Sequence, residues 1–349
     1  MDRPPARIRA LQAIACALFV ALAVFGLEYR CFAASAPGHL YVSRHVGSSG
    51  QQTWVIDRFP LVNGFPAKRA DKSYPGYGSQ IAVAANGTIY MPAGNGITPV
   101  HIYAIDPGND KADREITIPN TARRCENPGR TTVDSIATDA NGYLFAAVDN
   151  YFSGIGPRLH RSRRSLDKGT GLPCQGVAIF SPSASGSASP VQAISLTTTY
   201  MPTQTVDAAD NLYVADTGSG EILEYSNAVN APQFARELGS LYTYVAYSLA
   251  TDSSANLYVY DAPECRTCND GAINVFPPSA SGQDPPSSSI TLEGMKFNDF
   301  GGIAQGGGYI YATNLALRRI DMYHVTDNGK VKPFFHRRMS DLATIAVGP

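Results

Sequence analysis

Tryptophan occurs once in the 349 residues, charged residues make up only 16%, and the formal net charge is −1. The last figure removes any global field that would hold the chain on nucleic acid or an anionic membrane, so an electrostatic partner has to be met by a local patch. Long helices draw on Ala, Leu, Glu and Lys, whereas this chain is rich in Gly (32), Pro (24) and Tyr (19), a mixture that suits short strands and turns. No Gly-rich phosphate loop joins a strand to a helix. Nor does a Ser-His-Asp arrangement emerge, since His39, His45, His101, His160, His324 and His336 are scattered with no nucleophile motif beside them.

The N-terminus stands apart. Arg3, Arg7 and Arg9 precede the uncharged run LQAIACALFVALAVFGL (residues 11–27), and small residues follow in CFAASA. Residues 1–36 therefore read as a signal peptide, with an uncleaved membrane anchor as the rival. The expected location is secreted or periplasmic, or else membrane-anchored with residues 37–349 outside the cytoplasm, and any membrane contact runs through this segment alone.

From there a pattern recurs: IAVAANGTIYMP (81–92), IATDANGYLFAA (136–147), TVDAADNLYVAD (205–216), LATDSSANLYVYD (249–261) and IAQGGGYIYATN (303–314). Each is an alternating apolar run, a turn of Asp, Asn or Gly, and a second alternating run, which spells a β-hairpin. A third strand follows each (VHIYAID, GVAIFSP, EILEYS, GAINVFPP, RIDMYHV), and weaker fourth strands follow four of them (REITIPN, VQAISLTT, SSITLEG, KPFFHRR). Four-stranded units at this spacing predict propeller blades. HLYVSR (39–44) and TWVIDRF (53–59) lack a first strand, and ATIAVGP (343–349) lacks followers. Joined, they predict a sixth blade closed from both termini, so residues 37–349 form an all-β, six-bladed β-propeller. A second duplication, FSPSASGSASPVQAISL (180–196) and FPPSASGQDPPSSSITL (276–292), links third to fourth strands.

VDAADNLYVADTGSGEILEYS resembles an NHL-type propeller repeat, and the set resembles secreted bacterial six-bladed propellers of that superfamily. The resemblance implies the fold. It leaves open function classes that range from protein, glycan or RNA binding to metal-dependent lactonases and lyases.

Recurrence separates scaffold from site. Tyr41, Tyr90, Phe145, Tyr213, Tyr258 and Tyr311 recur blade by blade and predict packing between blades. Asp139, Asp207 and Asp252 in the hairpin turns, and Asp149, Asp216 and Asp261 at one common place after the second strand, predict turn and loop hydrogen bonding.

The non-recurring features gather on one end of the propeller, here called the top, where second strands run into third strands and each blade hands over to the next. The longest top loop, 150–175, carries Arg158, His160, Arg161, Arg163 and Arg164, and the neighbouring loop adds Arg123 and Arg124. These seven are the expected contacts for an anionic ligand, a glycan or a protein. Nucleic acid is not expected, because stacking aromatics are few among them. Cys125, Cys174, Cys265 and Cys268 remain once the leader is removed, an even number that predicts disulfides in an exported chain. A four-cysteine zinc site would need loops of the third and fifth blades to meet. Asp134, Asn298, Asp299 and Asp341 stand beside the innermost strands and are the candidate ligands for a cation at the channel mouth, calcium being the one such oxygens suit. No other cofactor is expected. The leading expectation is a binding propeller without catalysis, and the alternative is a metal-dependent lactonase, hydrolase or lyase.

Overall fold

The structure is a computed structural model that describes residues 38–47, 53–93, 100–118, 130–151, 175–196, 203–216, 220–239, 241–262, 270–293, 295 and 300–349. Gly38–Pro349 form one compact unit. Among the described residues lie six sheets, antiparallel apart from one short added strand, each built outwards from an innermost strand. The innermost strands are Leu342–Gly348, Ala82–Val83, Arg130–Thr138, Thr203–Val206, Val245–Thr251 and Phe300–Gly306, in blades one to six. Each contacts the next around a closed circle, and the sixth meets the first.

Closure occurs where the termini indicated. Leu342–Gly348 pairs antiparallel with His39–Val46, with Leu40 opposite Val347 and Val42 opposite Ile345. His39–Val46 then pairs with Thr53–Val62, which pairs with Lys72–Gly76. Blade one thus uses a C-terminal first strand and three N-terminal ones, and His39–Val46 is paired along both of its edges. Two fourth strands escaped the sequence reading. Lys72–Gly76 contains Pro75, and Gln233–Leu238 carries Arg236 and Glu237 on a half-exposed outer edge, so neither shows a clean alternation.

The core is divided into six clusters, one per seam between blades. Tyr41 sits between blades one and two, Tyr90 between two and three, Phe145 between three and four, and Tyr213, Tyr258 and Tyr311 in the remaining three. None is more than 2% exposed. Their hydroxyls find partners: Tyr213 donates to Asp207 (3.2 Å), Tyr258 to Asp252 (3.0 Å), Tyr311 to the Gly64 carbonyl (2.6 Å) and Tyr41 to that of Pro349 (3.1 Å). The turn aspartates cap their hairpins as expected. Asp139 accepts the amides of Asn141 and Tyr143, Asp207 those of Ala209 and Asn211, and Asp252 those of Ser254 and Asn256. One alignment needs correction: Val148, not Asp149, is the counterpart of Asp261. Val148 pairs with Val133 as Asp261 pairs with Ala246, whereas Asp149 lies one residue further on, opposite Thr132.

The connections from third to fourth strands tie blades three and five to their predecessors. Gly186 of the first duplicated loop donates to the Glu115 carbonyl (2.6 Å), and Gly282 of the second to that of Glu237 (2.6 Å). An arginine completes each latch. Arg114, paired with Asp106, donates to the Pro182 and Ala184 carbonyls, and Arg236, paired with Glu224, donates to that of Ala280. Arg337 does the same across the closing seam, reaching the carbonyls of Ala67 (2.6 Å) and Lys68 (2.8 Å). In blade six the connection adds a strand instead: Gly329–Lys330 pairs parallel with Ser288–Glu293 of blade five.

Replacing the seam aromatic Phe145 with Ala should cost about 3–5 kcal/mol of unfolding free energy in a urea titration, whereas Val191→Ala on the surface should stay within about 0.5 kcal/mol. Equal costs would show that the seam clusters do not carry stability.

Candidate functional site

The Arg123, Arg124, Arg158, His160, Arg161, Arg163 and Arg164 set, the four cysteines Cys125, Cys174, Cys265 and Cys268, and both Asn298 and Asp299 lie outside the described residues. The described top-face residues nevertheless form a built surface. Leu241, Tyr242 and Tyr244, in the segment that passes from blade four to blade five, are 64%, 40% and 49% exposed. Leu317, in the turn between the second and third strands of blade six, is also exposed. At the top of blade one, His45 and the lone tryptophan, Trp54, lie opposite each other with ring centroids 3.5 Å apart.

Exposed aromatic side chains on a turn would ordinarily be mobile. Here the backbone beneath them is held from two blades. The Tyr242 and Thr243 amides both donate to the Gly239 carbonyl (2.8 Å), and Gly239 takes the left-handed φ of 84° that such a turn demands. Buried Thr243 donates its hydroxyl to the carbonyls of Gly239 and of Gly220 in blade four. From blade five, Asn274 donates to the Tyr242 carbonyl (2.8 Å) and is itself fixed by Ser289 (2.7 Å). Asp261 accepts the amides of Tyr244 (2.9 Å) and Val245 (2.8 Å) on one carboxylate oxygen. The sequence showed Asp261 as a loop hydrogen-bonder. Thr243 and Asn274 were missed, because their partners are main-chain groups of segments distant in sequence.

Burial dominates the Asp261 carboxyl and pushes it up to about 7, against the two amides that favour its charged form. In the unfolded chain the same group titrates near 3.9. The folded state therefore holds a proton between those values that the unfolded state has lost, so the contribution of this group to stability is greatest below about pH 4 and falls as pH rises to about 7. Asp261→Asn should remove that slope, about 1.4 kcal/mol per pH unit at most, in urea titrations from pH 4 to 7 compared with the parent. Parallel curves would mean that the carboxyl titrates no higher in the folded chain than in the unfolded one.

Around the axis, the innermost strands share an irregularity that periodicity could not reveal. Pairing jumps from Val133 to Ser135 in blade three, from Ala246 to Ser248 in blade five, from Phe300 to Ile303 in blade six and from Leu342 to Ile345 in blade one. Bulges of this kind bend a strand and re-aim side chains at the rim of a closed sheet. Asp134 is the extra residue in blade three. Asp341 is different: it is exposed in a left-handed turn (φ 57°), and its carbonyl accepts the His45 amide (2.9 Å). Among the described residues no three His, Cys, Asp or Glu side chains come together as metal ligands. Of the four candidate ligands, the described part thus supplies Asp134 on an inner strand and Asp341 on an exposed turn, whereas calcium takes six to eight oxygens.

No family model matches the chain, and no curated protein does. Solved structures match its fold at low identity. A putative 6-phosphogluconolactonase from Bacteroides fragilis has a TM-score of 0.56 at 11% identity, covering 90% of this chain and 99% of that one. A chain of a nidogen/laminin complex gives 0.55 at 15%, covering 89% and 98%. A functionally unknown protein from Desulfotomaculum acetoxidans gives 0.52 at 11%, covering 87% and 88%. At such identities the shared feature is the propeller itself.

Proposed function

We propose that this chain is an exported, non-enzymatic binding propeller of NHL-like ancestry, and that its top face takes an anionic glycan. The observation that carries the reading is the exposed trio Leu241, Tyr242 and Tyr244 on a backbone pinned by Thr243, Asn274 and Asp261. Aromatic groups carried on a backbone fixed in advance bind at a smaller entropic cost than those on a mobile loop. Tyrosine suits the apolar face of a sugar ring while its hydroxyl stays wet. Arg123, Arg124, Arg158, His160, Arg161, Arg163 and Arg164 are the proposed partners of the sulfate or carboxylate groups, arginine being the side chain best matched to them. In this reading residues 1–36 direct export and the four cysteines form disulfides in the loops of the same face.

The rival reading, a metal-dependent hydrolase, draws on one observation: Asp134 is the bulge residue of an innermost strand. Asn298, Asp299 and further oxygens would have to complete the site, and no step through a metal follows from Asp134 alone.

The test is surface plasmon resonance of residues 37–349 on immobilised heparin and on uncharged dextran. Binding to heparin should weaken steeply with salt, and both Tyr242→Ala/Tyr244→Ala and Arg161→Ala/Arg163→Ala/Arg164→Ala should reduce affinity about tenfold or more with folding intact. No binding to heparin, or binding that neither variant changes, would sink the glycan reading. Metal-dependent lactone hydrolysis abolished by Asp134→Asn would put the hydrolase in its place.

A further inference from the structure

Blade six sends its third-to-fourth connection sideways on to blade five. After pairing at Gly329–Lys330, the chain runs through Val331, Lys332 and Pro333 before Phe335–Arg338 rejoins its own sheet. This excursion leaves a cavity of about 390 Å3 between the outer strands of the two blades, within the size range of small-molecule sites. Its apolar lining includes Leu292, Met295 and Tyr323, all buried. Its polar side is unevenly charged. Arg319, Lys332 and His336 contribute basic groups, and Asp321 is the single carboxylate.

That carboxylate is already engaged. Asp321, only 2% exposed, contacts Arg319 Nε at 2.6 Å and accepts from Asn314 Nδ2 at 3.3 Å. The contact is an ion pair at the Nε corner without an aligned hydrogen bond, and the guanidinium makes no other side-chain hydrogen bond among the described residues. The side chains of Lys332 and His336 are exposed and have no hydrogen-bond partner among the described residues, and the Tyr323 hydroxyl has none there either. The cavity therefore joins an apolar wall to several unused donors, with its one acid neutralised by an internal partner. A neutral apolar molecule would leave those donors unanswered, and a bare inorganic anion would leave the apolar wall wet.

We propose that the cavity between blades five and six is a binding site for a small organic anion, an apolar body carrying a carboxylate or phosphate headgroup. The headgroup meets Arg319, Lys332 and His336, and the body lies on Leu292, Met295 and Tyr323. The site is separate from the trio at Leu241, Tyr242 and Tyr244 and stands without the glycan reading.

Isothermal titration of residues 37–349 with phenyl phosphate and with phenylacetate, and with benzyl alcohol as the uncharged analogue, tests it. Both anions should bind one to one and benzyl alcohol at least about tenfold more weakly, because the headgroup supplies the charge-assisted bonds. Lys332→Glu/His336→Glu, two exposed positions whose change leaves the Arg319–Asp321 pair intact, should weaken both anions about tenfold or more. Val331→Trp, which fills the cavity without altering its charge, should abolish binding while Tyr242→Ala/Tyr244→Ala leaves it unchanged. Circular dichroism and the urea midpoint confirm that each variant folds. Absence of saturable binding by both anions would overturn the proposal. So would affinity unmoved by the Glu pair, or benzyl alcohol binding as tightly as the anions.

Discussion

The pairing of Leu342–Gly348 with His39–Val46 is the contact on which the rest of the ring depends. A propeller whose last blade came from one stretch of chain would keep a seam held by side-chain packing alone. Here main-chain hydrogen bonds between the two ends cross the blade, and the seam cluster of Leu40, Val42, Tyr311, Ile320 and Ile345 packs against that sheet. Glycine makes the approach of blade six to this sheet feasible. A Cβ on Gly302 would sit 2.9 Å from the Ile345 amide nitrogen and 2.4 Å from Thr344 Oγ1, too close for the innermost strands to keep their spacing.

The same problem of joining one sheet to the next is solved again on the outer rim. Arg114, Arg236 and Arg337 each bond main-chain carbonyls of the following blade, two of them while paired with an acid of their own blade. Lys72 does comparable work between blades one and two, contacting Asp110 and the Asn109 carbonyl. An ion pair at a surface contributes little by itself, but a guanidinium that also satisfies carbonyls in a turn fixes where that turn lies. The rim is thus tied by hydrogen bonds while the seams beneath are filled by the aromatic residues.

The hairpins and the closure could be read in advance because both are local. Turn chemistry and alternation are written within a dozen residues, and the orphan strands at the two ends had only each other to join. The tyrosine and aspartate roles were legible for the same reason, being repeated. The latches, the inner-strand bulges and the cavity were not, since each arises where segments far apart in sequence meet. Arg319 and Asp321 sit two apart in a plain third strand, and the fold alone brings Met295 and Val331 to them. Of the candidate site, only Asp134 and Asp341 fall among the described residues, and Asp341 is legible there as a turn former. The surface trio near Asp261 went unnoticed because single exposed aromatics in a sequence look like any others.

Closure from both ends also orders events in time. A chain that emerges N-terminus first can complete the sheets of blades two to six while blade one still lacks its inner strand. Leu342–Gly348 is made after every other strand and must find a partner some three hundred residues behind it, a pairing of very high sequence separation and correspondingly slow. Until then the inner edge of His39–Val46 is bare and the unfinished ring stays open.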